Sequence, residues 1–228
     1  MTSMKGFILS ISRALTYMRE NPIDLTGKPK DMIIKLDANV KSAGQGTANK
    51  ACGHEASIAV VWEANGFSLA PRKIVPTKCG YYYWYQPNGS QKKPDFILFW
   101  VLNGVKKSEI IIDAKHGSKD QIVLNDGWFD NDTIYIISFT ATVTRKAGRQ
   151  SSCLIGMGRD IVTESDSKIM AHIISIKNEL NKNKKSMLTS FLKICFRFAN
   201  KYSCKQFTPE FREDRFQKTL SWLGRSDK

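Results

Sequence analysis

Phe7, Ile8, Ile11, Leu15 and Met18 recur at three- and four-residue spacing, which predicts an amphipathic helix over residues 4–20 that stops before Asn21-Pro22. Met32, Ile33, Leu36 and Val40 predict a second, shorter helix. Gly44 and Gly46 then punctuate the chain. Thr47 suits an N-cap, and a third helix is expected from about Ala48 to Ala64, closed by Asn65-Gly66. Beyond it the period changes. Leu69 to Val75 reads as extended, and Gly80 to Lys93 joins an aromatic run to a Pro-Asn-Gly turn signal, as a hairpin would. Phe96–Val101 and Glu109–Lys115 form an apolar pair around Asn103-Gly104, buried on both faces as central strands are. Thr133–Val143 predicts another central strand, and SSCLIGMG a further one. From Ser167 helical spacing returns, with Ile169, Ile173, Ile176 and Leu180 on one face and Met187, Leu188, Phe191, Leu192, Cys195 and Phe198 on another. Phe207 to Leu223 predicts a closing helix.

Helices bracketing a block of strands define an α/β chain with a central mixed sheet, and 228 residues suffice for one substantial core. The charge changes the picture most. Thirty-five Lys and Arg against 21 Asp and Glu give a formal +14, and an 11% aromatic content argues for a folded basic protein rather than a basic tail. Such a protein meets a polyanion, with nucleic acid ahead of an anionic membrane surface. Nine basic residues and one acidic residue between Lys168 and Lys205 make the C-terminal part a second source of positive charge. Cys52, Cys79, Cys153, Cys195 and Cys204 are scattered and contain no C-x-x-C pair, which excludes a zinc ribbon and fits a reducing cytoplasm. The first segment is interrupted by Arg13 and no run reaches ~18 apolar residues, so neither secretion nor membrane spanning is expected.

The central hairpin carries charges that a buried hairpin avoids. In an extended strand Asp113 and Lys115 share a face, with Ile110, Ile112 and Ala114 on the other. Antiparallel pairing around Asn103-Gly104 brings Asp95 to the same end. Two carboxylates and a lysine then converge. A self-satisfied buried ion pair is one reading, although desolvation makes it weak stabilisation. A hard divalent cation held by the carboxylates, with the lysine beside a bound water, is the other; those parts suit phosphodiester hydrolysis.

Pro94-Asp95, a spacer of seventeen residues and Asp113-Ala114-Lys115 resemble the PD-(D/E)xK signature of the restriction-endonuclease-like nucleases. GHEASIAVVWEANGF, residues 53–67, resembles the glutamate-bearing helix of that family, with Glu55 on a face with Ile58, Ala59 and Trp62; Glu63 is the alternative carboxylate. The resemblance implies a restriction-endonuclease-like core over about 46–165, N-terminal helices over 1–45 and a helical basic part over 166–228, all in one catalytic domain. An aromatic insertion before Asp95, and the lack of a clear helix between Lys115 and Thr133, depart from the family pattern.

By the same resemblance Asp95, Asp113, the carbonyl of Ala114 and Glu55 bind one or two Mg²⁺, and Lys115 orients the attacking water. Lys92, Lys93, His116, Arg145, Lys146 and Arg149 are the expected DNA contacts, with Tyr81 to Tyr85 expected to pack rather than stack on bases. The implied activity is sequence-specific cleavage of double-stranded DNA by a homodimer, as in type II restriction enzymes. A repair or junction-resolving nuclease of the same superfamily and a non-catalytic nucleic-acid-binding protein are the competing readings.

Overall fold

The computed structural model describes residues 2–42, 51–89, 93–118, 121–124, 128–139, 143–144, 147–148, 151–182, 201–203 and 207–225. Helix α1 (Met4–Glu20) starts where Ser3 Oγ accepts from the Gly6 amide at 3.1 Å, and it buries Phe7, Ile8, Ile11, Ala14, Leu15 and Met18. After a 3₁₀ turn (Asp24–Thr26), α2 (Lys30–Ser42) buries Met32, Leu36 and Val40. Both match the periodicity. Helix α3 (Gly53–Ala64) begins later than expected, and Thr47 lies outside the described residues. Its cap is Cys52, whose Sγ accepts from the Glu55 amide at 3.4 Å. Gly53 is held against the preceding loop so closely that a Cβ there would lie 2.7 Å from the Gly27 carbonyl oxygen. The helix stops at Asn65-Gly66, where Gly66 takes φ +88°.

Eight strands form one mixed sheet: β1 (Phe67–Leu69), β2 (Gly80–Tyr85), β3 (Phe96–Leu102), β4 (Val105–Ser118), β5 (Gln121–Val123), β6 (Ile134–Phe139), β9 (Ser152–Met157) and β10 (Lys201–Ser203). A separate short ladder pairs β7 (Val143–Thr144) with β8 (Ala147–Gly148). The strand expected over Leu69–Val75 is not formed: β1 ends at Leu69, where it pairs parallel with β2 from Phe67↔Tyr81 to Leu69↔Tyr83, and the chain then turns away. The aromatic run does not fold back on itself: β2 lies antiparallel to β3 along its whole length, from Gly80↔Val101 to Tyr85↔Phe96. Strand β4 is long enough to serve two partners. Its first part runs antiparallel to β3, ending at Phe96↔Ile112, and its second part runs parallel to β6, from Ile112↔Ile134 to Gly117↔Phe139. No helix intervenes between β4 and β6 among the described residues; β5 is there instead.

The alternation of β4, β6 and β9 divides the sheet's two faces. Ile112, Ala114, Ile134, Ile136, Ile155 and Met157 join Phe7, Ile11, Leu15, Ile58 and Trp62 in the main core, under α1, α2 and α3. Phe216 and Leu223 of α6 (Pro209–Arg225) complete that core. Tyr135, Ile137 and Leu154 face the other way, against Ile122, Phe129, Ile161 and Phe207. The short α4 (Gly158–Ile161) follows β9, and α5 (Glu164–Lys182) follows it. Each fully buried Leu, Ile or Phe contributes about 1.5–3 kcal/mol, so the strands that carry Asp95 and Asp113 are closely packed into this core. No described helix is long and apolar enough to cross a membrane.

Candidate active site

The ladder between β3 and β4 closes at Phe96↔Ile112, so the next positions are Asp95 and Asp113. Here the strands exchange side-chain for backbone bonding. The Ala114 amide donates to Asp95 Oδ2 at 2.8 Å, while the Gln86 amide donates to the Asp95 carbonyl at 2.7 Å. Asp95 is thus fixed from both neighbouring strands. Asp113 is fully buried at 0% exposure, and Lys115, two residues on and on the same face, is 8% exposed. The Lys115 ammonium stands 2.9 Å from Asp113 Oδ2, and among the described residues neither Asp113 oxygen has a hydrogen-bond partner. The Lys115 ammonium offsets part of the cost of burying that carboxylate, and its oxygens keep the capacity to accept further donors or a cation.

Glu55 arrives from the first turn of α3. Its Oε2 accepts a short hydrogen bond from the Tyr85 hydroxyl, and Gln86 Nε2 stands 3.4 Å from the same oxygen and 3.0 Å from the hydroxyl. Asp95 feels the whole cluster. Burial, then the charges of Asp113 and Glu55, push its carboxyl well above the ordinary aspartate range, while Lys115 and the Ala114 amide pull the other way. The Asp95 carboxyl therefore sits under the combined influence of Asp113, Glu55 and the Lys115 ammonium, with the two carboxylates prevailing.

The choice between Glu55 and Glu63 follows from their partners. Glu63 receives Lys35 Nζ at 2.6 and 2.7 Å and the Tyr83 hydroxyl at 2.9 Å, so its charge is neutralised on the spot. Glu55 has no ion-pair partner among the described residues. Glu63→Gln should consequently lower stability by about 1 kcal/mol in urea unfolding and leave any chemistry at Asp95 and Asp113 unchanged. A loss of activity with intact folding would transfer the catalytic role to Glu63.

Behind the cluster a polar chain crosses the main core. His54 Nδ1 lies 2.9 Å from Ser138 Oγ, and His116 Nδ1 lies 3.3 Å from the same oxygen. The hydroxyl joins α3, β4 and β6 one residue away from Glu55 and Lys115. Burial, then the neighbouring His116 and Lys115, pulls the His54 pKa down from 6.5 to about 4. His54 is neutral when folded, so its share of stability is fully present above pH ~6.5 and is lost as pH falls toward ~4, about 3 kcal/mol in all. Urea titrations between pH 4 and 7 should show this loss, and His54→Asn should flatten it. An unchanged slope would contradict the assignment.

Among the expected DNA contacts, His116 is exposed at the end of β4. Lys93 is turned inward: its ammonium contacts the Trp128 carbonyl, lies 3.1 Å from the Tyr135 hydroxyl and 3.2 Å from Asp130 Oδ2, and its side chain is 13% exposed. It anchors the loop beside Asp113 instead of offering a charge to solvent. Lys92, Arg145, Lys146 and Arg149 lie outside the described residues. Tyr81, Tyr83 and Tyr85 pack against the core as expected, but Tyr85 also reaches the site, which sequence reasoning missed. Its trace was there: Tyr83 and Tyr85 share a strand face opposite a helix carrying Glu55 and Glu63.

Among the described residues no group of three or more His, Cys, Asp and Glu side chains is placed so that it could hold a metal ion. Mg²⁺ does not require one, because it keeps several waters and is held by one or two carboxylates. The unsatisfied oxygens of Asp113 and the mutual repulsion at Asp95 fit that donor set. No protein-family model, curated protein or solved structure matches this chain.

Proposed function

We propose that the chain is a Mg²⁺-dependent endonuclease that hydrolyses double-stranded DNA, built as a restriction-endonuclease-like enzyme. The observation that carries the proposal is the meeting of Asp95 and Asp113 across the β3–β4 ladder, with Lys115 against Asp113 and Glu55 brought in from α3. The antiparallel run β2–β3–β4 followed by β6 parallel to β4 supports it, being a mixed sheet with α3 on one face. A formal charge of +14 supports a polyanionic substrate.

Asp95, Asp113, the Ala114 carbonyl and Glu55 would hold the cation, Glu55 directly or through water. When bound, Mg²⁺ lowers the pKa of a coordinated water and offsets negative charge on the phosphate. Lys115 supplies a proton donor that holds the attacking water in line. Ile112, Ile134 and Ile136, all fully buried, keep the strand beneath that ammonium from shifting. The chain acts on both strands of a duplex as a homodimer, each copy contributing one such site.

The test is to incubate the purified protein with plasmid and Mg²⁺ and to sequence the ends. Fragments that share one end sequence support restriction. The Gly53-His54-Glu55 start of α3 also resembles that of junction resolvases, and cutting confined to branched DNA would move the activity there. Binding without cleavage in any divalent metal would overturn the enzymatic reading.

A further inference from the structure

Two tyrosines on β2 bond two glutamates on α3, and the pairs differ in one respect. Tyr83 donates to Glu63 at 2.9 Å, where Lys35 neutralises the carboxylate at 2.6 Å. Tyr85 donates to Glu55, where no cation answers among the described residues. Tyr85, only 1% exposed, thereby holds beside Asp95 a carboxylate that has no ion-pair partner among the described residues. Gln86 reinforces it from a strained position, since its φ of +42° is rare for a residue with a side chain and its Nε2 reaches both Tyr85 and Glu55. That strain also aims the Gln86 amide at the Asp95 carbonyl, 2.7 Å away. One turn thus orients two of the carboxylates.

We infer that Tyr85, seconded by Gln86, is a positioning residue that presets the Glu55 carboxylate, directly or through a water, toward a divalent cation held by Asp95 and Asp113. The inference rests on the metal-site reading above and adds residues outside the Asp95, Asp113, Lys115 and Glu55 set. Partners that orient a ligating carboxylate typically carry 10- to 100-fold of metal affinity, because an unoriented ligand must be ordered at the moment of binding.

The experiment is calorimetric titration of Mn²⁺ into the wild-type protein, Tyr85→Phe and Tyr83→Phe, without DNA. Tyr85→Phe should weaken binding by about 10-fold or more, whereas Tyr83→Phe should bind as the wild type does. Its cleavage should approach the wild-type rate as Mg²⁺ is raised, because only the preset of Glu55 is lost. Equal weakening by both variants would reduce Tyr85 to a packing residue, and wild-type affinity in Tyr85→Phe would overturn its role. Should Tyr85→Phe not fold, the tyrosine ring-carbon NMR signal of Tyr85 in the wild type serves instead: it should shift on adding Mg²⁺, and a fixed signal in a protein that binds Mg²⁺ refutes the inference. A wild type that binds no Mn²⁺ overturns the metal-site reading itself.

Discussion

Asp95→Asn should leave the metal-free protein at least as stable as the wild type while removing both the stabilisation conferred by Mg²⁺ and all detectable cleavage. The folded protein raises the Asp95 pKa above its unfolded value, chiefly by burial and by the charges of Asp113 and Glu55. The folded state therefore holds that proton more tightly than the unfolded chain does, and the contribution of Asp95 to stability falls as pH rises through the folded pKa. An asparagine keeps an oxygen for the Ala114 amide, 2.8 Å away in the wild type, and carries no charge to be repelled. The gain should appear above the folded pKa of Asp95 and vanish in acid. Melting curves across pH, with and without Mg²⁺, check both halves. A variant that is less stable at every pH would mean that the Asp95 charge is satisfied by the fold itself.

Lys115→Ala should move the other way. It removes the ammonium 2.9 Å from Asp113 and leaves a fully buried carboxylate facing Asp95 and Glu55. Truncating one partner of a buried ion pair costs about 3–5 kcal/mol, so the metal-free variant should melt well below the wild type. Mg²⁺ should recover much of that loss, making the variant more dependent on the cation for stability than the wild type. Its cleavage should fall by at least ~100-fold, since no group remains to hold the attacking water, while DNA is still bound. Gel-shift and cleavage assays on one preparation separate the two effects. Undiminished cleavage would remove Lys115 from the mechanism.

The opposite responses of these variants come from an arrangement that the sequence shows only in part. Asp113 and Lys115 share a face by strand periodicity alone, but the Asn103-Gly104 turn by itself would set Asp95 opposite Ile112, and only the register shift between Trp100 and Val101 brings it opposite Asp113. Helix 4–20 is likewise readable, because its apolar positions recur with the helical period, and Asn65-Gly66 marks the end of the third helix, whose start at Gly53 instead of Ala48 is not legible. What pattern cannot supply is which elements meet. Tyr81 to Tyr85 satisfies a hairpin as well as a single strand, and only pairing with β3 distinguishes them. A strand over 69–75 is likewise expected from the pattern, yet the structure forms only Phe67–Leu69, because pairing with β2 decides where it ends.

Side-chain loyalties are legible to a still smaller degree. Lys93 stands next to Pro94-Asp95 and reads as a phosphate contact, yet Trp128, Asp130 and Tyr135 draw its ammonium inward. The neutralisation of Glu63 by Lys35 spans 28 positions and leaves no local trace. Ser138 is different, since one hydroxyl in the apolar run IYIISF marks a buried polar partner, and His54 and His116 supply it.

The most direct test follows supercoiled plasmid incubated with the purified wild-type protein in Mg²⁺, in EDTA, and in EDTA with Mg²⁺ then restored. Linear or discretely cut DNA in the first and third reactions, none in the second, and none with Asp95→Asn in any of them is the predicted result. Intact plasmid with well-folded wild-type protein in Mg²⁺ and in Mn²⁺, or cleavage by Asp95→Asn equal to that of the wild type, would contradict a nuclease centred on Asp95, Asp113 and Lys115.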